Sequence, residues 1–305
     1  MRKKQGPTKV FMPPRTSSQL YSFESPKPPL SRAAVAGCFM AAVVIIGAIM
    51  IGTKSWLAFF SLEGLLIVVG GSIVASYMSF HSGDVKKALG SIGQMFHEPL
   101  SAHENLHQDM QTVISWARIV QSKGMRGLEE EVGEITDPFI NYSLNIVVSN
   151  YSADDVRVMM ETAADAYYER DTIPAQILGA MAGHAPAFGM VGTLVGMIIM
   201  LCNFNNDMSG MGAGLAVAFL STLYGVVTAR MVFIPAASKV MQQQDNVRFR
   251  NHLLTEGMVM LVAGKSPHYI HDRLNSFLRP EINDIFEATA QDRLLHRRNL
   301  ARMAG

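Results

Sequence analysis

The sequence predicts an all-α membrane protein with four transmembrane helices, a helical cytoplasmic domain between the second and third spans, and a cytoplasmic C-terminal helical region. Of its 305 residues, 49% are hydrophobic and only 17% are charged. Charged residues are absent from four long apolar stretches, at residues 33–53, 64–80, 185–200 and 208–229. Each stretch is close to the roughly 20 residues that a helix needs to cross a bilayer. Buried helices of a large soluble protein are the alternative, which four separate uncharged runs disfavour.

The chain before the first span, residues 1–32, is basic and rich in proline. It holds seven Lys and Arg residues against the single acid Glu24. The positive-inside rule therefore places the N-terminus in the cytoplasm. Six prolines and few apolar residues predict that this tail is disordered. The transmembrane pairs at 33–80 and 185–235 then enclose a cytoplasmic domain at 81–184, and residues 236–305 are also cytoplasmic.

The cytoplasmic domain is predicted to be a compact set of helices with caps and breaks. Ser152 can cap a helix whose first turn is acidic, an arrangement that suits the helix dipole. Apolar residues recur at helical spacing, at Val113, Trp116, Val120, Ile140, Leu144, Val147 and Val148. Breaks are expected at Pro99, Gly124, Pro138 and Pro174.

The sequence lacks the motifs of common enzyme classes. No phosphate-binding loop or nucleophile elbow is present, so an enzyme is not expected. His103 and His107 share a helix face at a spacing that can bind zinc, but no third ligand is near them in sequence. No cofactor is expected beyond a transported ion.

The membrane chemistry predicts a partner. Ionisable residues inside a membrane are functional by default, yet the last two spans hold none at depth. Glu63 is expected near the outer end of the second span. If ions move through this protein, a partner subunit must supply the carboxylate.

Several segments resemble the MotA/PomA family of flagellar stator proteins. Residues 186–196 (PAFGMVGTLVG) resemble the family's third span, and residues 215–225 (LAVAFLSTLYG), with Phe233-Ile234-Pro235 after them, resemble its fourth. Further matches are residues 65–71 (LLIVVGG), Gly124 and Leu128-Glu129, all in the family's order.

The resemblance implies an ion-channel-forming stator subunit of the bacterial inner membrane, which converts sodium or proton flow into rotor torque. It also implies the partners. The chain would form a homo-oligomer, by family analogy a pentamer, around a dimer of a MotB/PomB-like single-span subunit that carries a membrane aspartate. The rotor protein would be of the FliG type.

The resemblance also assigns roles to residues of the last two spans. Thr193 and Thr222 match positions that line the ion path in sodium-type stators, and the choice between sodium and protons stays open. The alternative is that each hydroxyl bonds to the helix carbonyl four residues earlier. Pro186 and Pro235, at the cytoplasmic end of this pair, match prolines that couple ion binding to movement. Termination or kinking of the helix is the alternative.

A rotor contact is expected in the cytoplasmic domain. Gln121 stands where the family's principal rotor-facing cation would be, so the neighbouring charges are expected to share that contact, although such clusters are usually solvated faces. The candidate residues are Arg118, Lys123, Arg126, Glu129, Glu130 and Glu131.

Two other functions remain open from the sequence. One is an ExbB/TolQ-like energiser of an envelope system, although those relatives typically have three spans and an outer N-terminus. The other is a passive membrane scaffold without ion flow.

Overall fold

The computed structural model describes residues 32–52, 59–96, 102–129, 137–204 and 208–277, and these residues form helices and turns without a strand. The predicted disordered tail, apart from Arg32, lies outside the described residues. The same is true of Pro99, Glu130 and Glu131 among the residues singled out above.

The described residues form ten helices, two of which are joined end to end. They are α1 (Arg32–Gly52), α2 (Leu62–Ser79), α3 (Ser82–Ser91), α4 (Ala102–Lys123), α5 (Arg126–Glu129), α6 (Pro138–Val148), α7 (Ala153–Cys202), α8 (Met208–Thr228), α9 (Ile234–Val262) and α10 (Pro267–Asn275). A π-helical turn at Leu66–Gly70 lies within α2, and another at Ala229–Phe233 joins α8 to α9.

Three helical segments are long and apolar enough to cross a membrane: α2, the apolar part of α7, and the helix that runs from Gly210 to Val262. They match the second, third and fourth predicted spans. The 21-residue helix α1 covers the first predicted span. Many of its described side chains are exposed and apolar, among them Phe39, Val44 and Ile51.

Pro174 does not end a helix, and the predicted break at this residue is wrong. Pro174 and Pro186 both lie inside α7, which runs for 50 residues. A proline removes one backbone hydrogen bond and crowds the carbonyl four residues earlier. Near Pro174, the single Thr172 hydroxyl proton is shared between the carbonyls of Tyr168 and Glu169, at 2.8 and 3.1 Å, neither of which is the Arg170 carbonyl that the proline leaves without its helical donor.

Pro235 does not end its helix either. It is the second residue of α9, one residue beyond the end of the π-helical turn. The carbonyl that its ring would crowd belongs to Met231, inside that turn. A π-helical turn is wider than an α-helical one, so the chain passes the proline without a break. The two prolines of the membrane pair are thus internal to long helices.

The other breaks and caps match the sequence prediction. Gly124 follows the last residue of α4 with a φ of 72°, a left-handed conformation that glycine adopts without strain. Pro138 is the first residue of α6, and the Asp137 carboxylate accepts hydrogen bonds from two backbone amides there. Ser152 accepts from the Asp155 amide at 3.2 Å and donates to its carboxylate at 2.6 Å.

The chain divides into two compact units. Among the described residues, one unit contains residues 32–52, 59–96, 102–106, 162–204 and 208–250, and the other contains residues 107–129, 137–161 and 251–277. The first unit is centred on a buried apolar cluster that includes Val68, Leu178, Ala185, Phe233 and Val240. Fully buried side chains of the second unit include Trp116, Leu144, Leu254, Met258 and Ile270.

The predicted domain limits at residues 184–185 and 235–236 lie inside continuous helices. These limits were placed where the chain is expected to cross the membrane surface. A helix can cross that surface without ending there. They stay predictions.

Candidate functional site

The third and fourth apolar segments, in α7 and α8, pack backbone against backbone through glycines. A Cβ on Gly196 would lie 2.5 Å from the Ala218 nitrogen, and one on Gly214 would lie 2.5 Å from the Met200 nitrogen. At Gly225 it would lie 2.7 Å from the Ala185 oxygen. Small residues at these positions let the two helices approach closely without a hydrophobic driving force between them.

Three helices meet at Ser221, which is fully buried. A Cβ on Gly64 in α2 would lie 3.1 Å from the Ser221 Oγ, and a Cβ on Gly192 in α7 would overlap the same side chain. The Ser221 hydroxyl donates to the Val217 carbonyl at 2.6 Å, so it is satisfied within its own helix. Ser221 is not among the site residues predicted from the sequence. The one feature of the sequence that points to Ser221 is that it is a small polar residue directly before Thr222.

Thr193 and Thr222 lie on either side of this junction. Thr193 directly follows Gly192 and Thr222 directly follows Ser221, so the contact between those two residues brings both threonines to a similar level along the helix pair. The Thr193 Oγ1 donates to the Met190 carbonyl, three residues earlier, at 2.6 Å. The Thr222 side chain is exposed, and its hydroxyl has no hydrogen-bond partner within the described ranges.

Pro186 and Pro235 do not lie at the same level along the helix pair, and their place at its cytoplasmic end stays a prediction. The Cα of Pro186 lies 3.1 Å from the Cβ position of Gly225. Pro235 is ten residues beyond Gly225, or roughly 15 Å along a helix. It lines a groove of about 730 Å³ together with Ala175 and Gln176 of α7.

A further polar contact connects the fourth segment to the start of the second. The Tyr224 hydroxyl donates to the Phe59 carbonyl at 2.6 Å and accepts from the Ser61 amide at 2.9 Å. The Ser61 hydroxyl in turn donates to Glu63 Oε2 at 3.1 Å and accepts from the Gly64 amide at 3.1 Å. Ser61 therefore connects the two helices, since its backbone amide bonds to Tyr224 of α8 and its hydroxyl bonds to Glu63 of α2.

Beyond Pro235, charged and aromatic side chains connect α7 to α9. Arg248 pairs with Asp165 at 2.9 Å and lies over the Tyr168 ring, 4.6 Å from its centroid. The Tyr168 hydroxyl donates to Asp245 at 2.8 Å, a hydrogen bond that raises the pKa of the phenol. These contacts hold the two helices together beyond the apolar segments.

The described candidates for the rotor contact are all exposed. Arg118 and Lys123 lie on α4, and Arg126 and Glu129 lie on the short helix α5. Gly127 packs against Ile119 and Lys123, and Leu128 is fully buried. In the Leu128-Glu129 motif, Leu128 packs in the core and Glu129 faces the solvent.

A second ion pair joins α7 to the end of α9 in the unit that contains these charges. Arg157 pairs with Glu256 at 2.5 Å and with Glu161 at 3.7 Å. The hydrogen bond from Arg157 lowers the pKa of Glu256, and partial burial opposes that shift.

Comparisons with known proteins agree with the resemblance in the sequence. Residues 131–252 match the MotA/TolQ/ExbB proton channel family. Chemotaxis protein PomA of Vibrio alginolyticus is 32% identical over 220 residues, which cover 72% of this chain and 85% of PomA. Motility protein A of Treponema pallidum is 28% identical over 246 residues, 81% of this chain and 93% of that protein. The solved structure of C. jejuni MotAB matches with a TM-score of 0.72 at 22% identity and covers 82% of this chain and 97% of that one.

Proposed function

Because the chain belongs to the MotA/PomA family of flagellar stator proteins, we propose that it is the ion-channel-forming subunit of a stator unit and converts sodium or proton flow into rotor torque. The observation that carries this function is the placement of Thr193 and Thr222 beside the Gly192–Ser221 contact. Two hydroxyls at a similar level on neighbouring apolar helices form a polar step in an otherwise apolar wall.

Thr193 is arranged to accept a cation. Its only hydroxyl proton is used by the Met190 carbonyl, so the two lone pairs of Oγ1 remain available. Hydroxyl oxygens can replace the water molecules around a partly dehydrated ion. Thr222, whose exposed hydroxyl has no partner among the described residues, can orient toward either an ion or a water molecule. This favours sodium slightly over protons.

A partner subunit is part of the proposal. Residues 185–202 and 208–229 contain no Asp, Glu, Lys, Arg or His. Their outer faces expose large apolar side chains, such as Leu194 at 56% and Phe219 at 69%, which need lipid or protein cover. By analogy with the family, the chain would form a pentamer around a dimer of a MotB/PomB-like single-span subunit, whose membrane aspartate binds the ion. The fold match to a MotAB complex supports this arrangement.

The topology follows from the same function. Four spans in the bacterial inner membrane, with both termini in the cytoplasm, leave α4 and α5 on the side of a FliG-type rotor protein. Pro186 and Pro235 would pass a displacement from the ion path to the cytoplasmic helices. The continuity of α7 through Pro186, and of α8 into α9 through Pro235, supports this because an unbroken helix transmits motion.

The function is tested by expressing the chain with its partner in motile cells that lack their own stator. Swimming speed is measured against sodium concentration at fixed pH, with Thr193→Val and Thr193→Ser as a matched pair. The serine variant keeps the oxygen and should swim, whereas the valine variant should not. Full motility without sodium would exclude sodium as the driving ion, and equal swimming of both variants would exclude Thr193 from the ion path.

An ExbB/TolQ-like energiser is the second candidate, because the matching family model includes both groups. PomA and Motility protein A, each matched over most of its length, favour a stator subunit over such an energiser. Native mass spectrometry of the purified complex tests the assembly, and a stable monomer or a one-to-one pair would exclude the proposed ring. An adjacent reading frame for a single-span protein with a membrane aspartate and a peptidoglycan-binding domain would favour the stator over a passive scaffold.

A further inference from the structure

Pro174 interrupts the hydrogen bonding of α7. Its ring takes the place of a backbone N–H, so the Arg170 carbonyl loses its helical donor, and helices bend most readily at such a point. Directly after the proline, Ala175 and Gln176 line one side of the open groove, and residues of α9 from Pro235 to Asp245 line the rest. The groove leaves α7 room to bend here.

Contacts with α9 hold α7 on both sides of Pro174. On the C-terminal side these contacts are apolar. Ile177 and Leu178 of α7 are fully buried in one cluster with Ala236 and Val240 of α9. Packing of this kind fixes the part of α7 that leads toward the ion path.

On the N-terminal side the contacts are polar, and we call them the α7–α9 clamp, formed by Asp165, Tyr168, Asp245 and Arg248. Arg248 pairs with Asp165 at 2.9 Å and lies 4.6 Å from the centroid of the Tyr168 ring. The Tyr168 hydroxyl donates to Asp245 at 2.8 Å. A step of three residues along α7 matches a step of three residues back along α9, so both contacts fix the same antiparallel register. All four residues belong to one compact unit.

We propose that the clamp couples α7 to α9 across Pro174, with Arg248 as the central positioning residue, so that the two helices move together when the stator works. The proposal rests on the stator function for the movement itself. An exposed ion pair is weak by itself, so the coupling depends on several contacts that share residues. Arg248 makes two of them, because a planar guanidinium suits both a carboxylate and an aromatic face. Loss of Arg248 should therefore uncouple the helices while Thr193 and Thr222 stay intact.

The test separates torque from ion flow in the complex of this chain with its partner. Arg248→Asp places a like charge opposite Asp165. At matched membrane levels it should lose most of the rotation of tethered cells, while the ion conductance of the reconstituted complex should stay at the wild-type value. Combining it with Asp165→Arg restores an attraction and should recover much of the rotation. Arg170→Asp is the control with wild-type rotation expected, because the contacts of Arg170 with Tyr167 and Asp171 stay within α7.

Hydrogen exchange of the purified complex measures the coupling without motility. Amides of residues 165–176 should exchange several times faster in Arg248→Asp than in the wild-type chain, because this segment opens locally once the clamp is lost. The exchanged pair should reverse the effect. Tyr168→Phe removes only the hydroxyl bond to Asp245, so it should change exchange in the same direction by less. This milder variant gives the same comparison if Arg248→Asp does not assemble.

Wild-type rotation of Arg248→Asp would overturn the proposal, and so would equal losses of rotation and conductance. Hydrogen exchange that neither Arg248→Asp nor Tyr168→Phe changes would overturn it as well, as would an exchanged pair that recovers neither rotation nor slow exchange. If the wild-type complex never rotates while hydrogen exchange responds to these variants as expected, the stator function alone is contradicted.

Discussion

Gly192 of α7 is in direct contact with the buried Ser221 side chain of α8, and a Cβ at residue 192 would overlap it. We expect Gly192→Ala to push the helices apart at the level of Thr193 and Thr222. Overpacking of this kind costs about 1–3 kcal/mol. The melting temperature of the purified complex should fall, and motility should be lost.

The same helix offers a matched control for that substitution. A Cβ on Gly183 would meet no described atom within 4 Å, so Gly183→Ala should not lower the melting temperature and should raise it slightly, because alanine favours a helix over glycine by about 0.5–1 kcal/mol. Adding Ser221→Gly to Gly192→Ala removes the overlapping side chain and should restore part of the loss. A double variant no better than Gly192→Ala would show that the contact does not limit stability.

The second prediction concerns Tyr224. Tyr224→Phe removes the hydrogen bond to the Phe59 carbonyl and leaves the Ser61 amide without its partner. We expect a loss of about 1 kcal/mol in the free energy of unfolding, because polar contacts in membranes are individually modest. Hydrogen exchange at the Ser61 amide should become faster. Tyr77→Phe is the control, since Tyr77 is partly exposed and makes no hydrogen bond within the described ranges. Equal rates of hydrogen exchange at the Ser61 amide in both variants would contradict the prediction.

The third prediction is a pH dependence at the ion pair of Arg157 and Glu256. The hydrogen bond from Arg157 lowers the pKa of Glu256 in the folded protein. A lowered folded-state pKa stabilises the fold above the pKa of an ordinary glutamate, about 4.3, and this contribution disappears as pH falls through the lower folded value. Glu256→Gln should therefore cost about 1 kcal/mol at pH 7 and nothing at the acid end.

Denaturant unfolding of the detergent-solubilised complex at several pH values measures this difference. Glu161→Gln is the control, because Glu161 lies 3.7 Å from the same guanidinium and is more exposed than Glu256. At pH 7, Glu161→Gln should lower the free energy of unfolding by less than Glu256→Gln does. If the cost of Glu256→Gln did not change with pH, the ion pair would not account for the stability.

Helices, caps and breaks that depend on neighbouring residues could be predicted from the sequence. The uncharged runs predicted α2 and the apolar parts of α7 and α8, and local chemistry predicted the Ser152 cap and the break at Gly124. Pro174 was misread, because Ala175, Ile177 and Leu178 directly after it are buried in the core, and this packing outweighs the one backbone hydrogen bond that a proline removes. Such compensation depends on side-chain geometry that a proline rule does not include.

Long-range contacts could not be predicted. Tyr224 and Phe59 are 165 residues apart, and no periodicity connects them. The contact of Gly64 with Ser221 likewise joins residues that are 157 positions apart, and nothing in either local sequence predicts it. The family resemblance assigned Thr193 and Thr222 to an ion path, whereas their similar level and the offset of Pro186 from Pro235 follow only from the helix packing.

The last prediction concerns torque. Lys123 and Arg126 are exposed at the junction of α4 and α5, and Gln121 replaces the expected cation. Exposed ion pairs are worth about 0–1 kcal/mol and are screened by salt, so Lys123→Glu or Arg126→Glu alone should reduce rotation modestly. The double reversal should do much more, because attraction to an acidic rotor surface becomes repulsion. Rotation of tethered cells measures this at matched membrane levels, with Lys265→Glu as an equal charge change elsewhere. A double variant that rotates at wild-type torque would show that these charges form a solvated helix face.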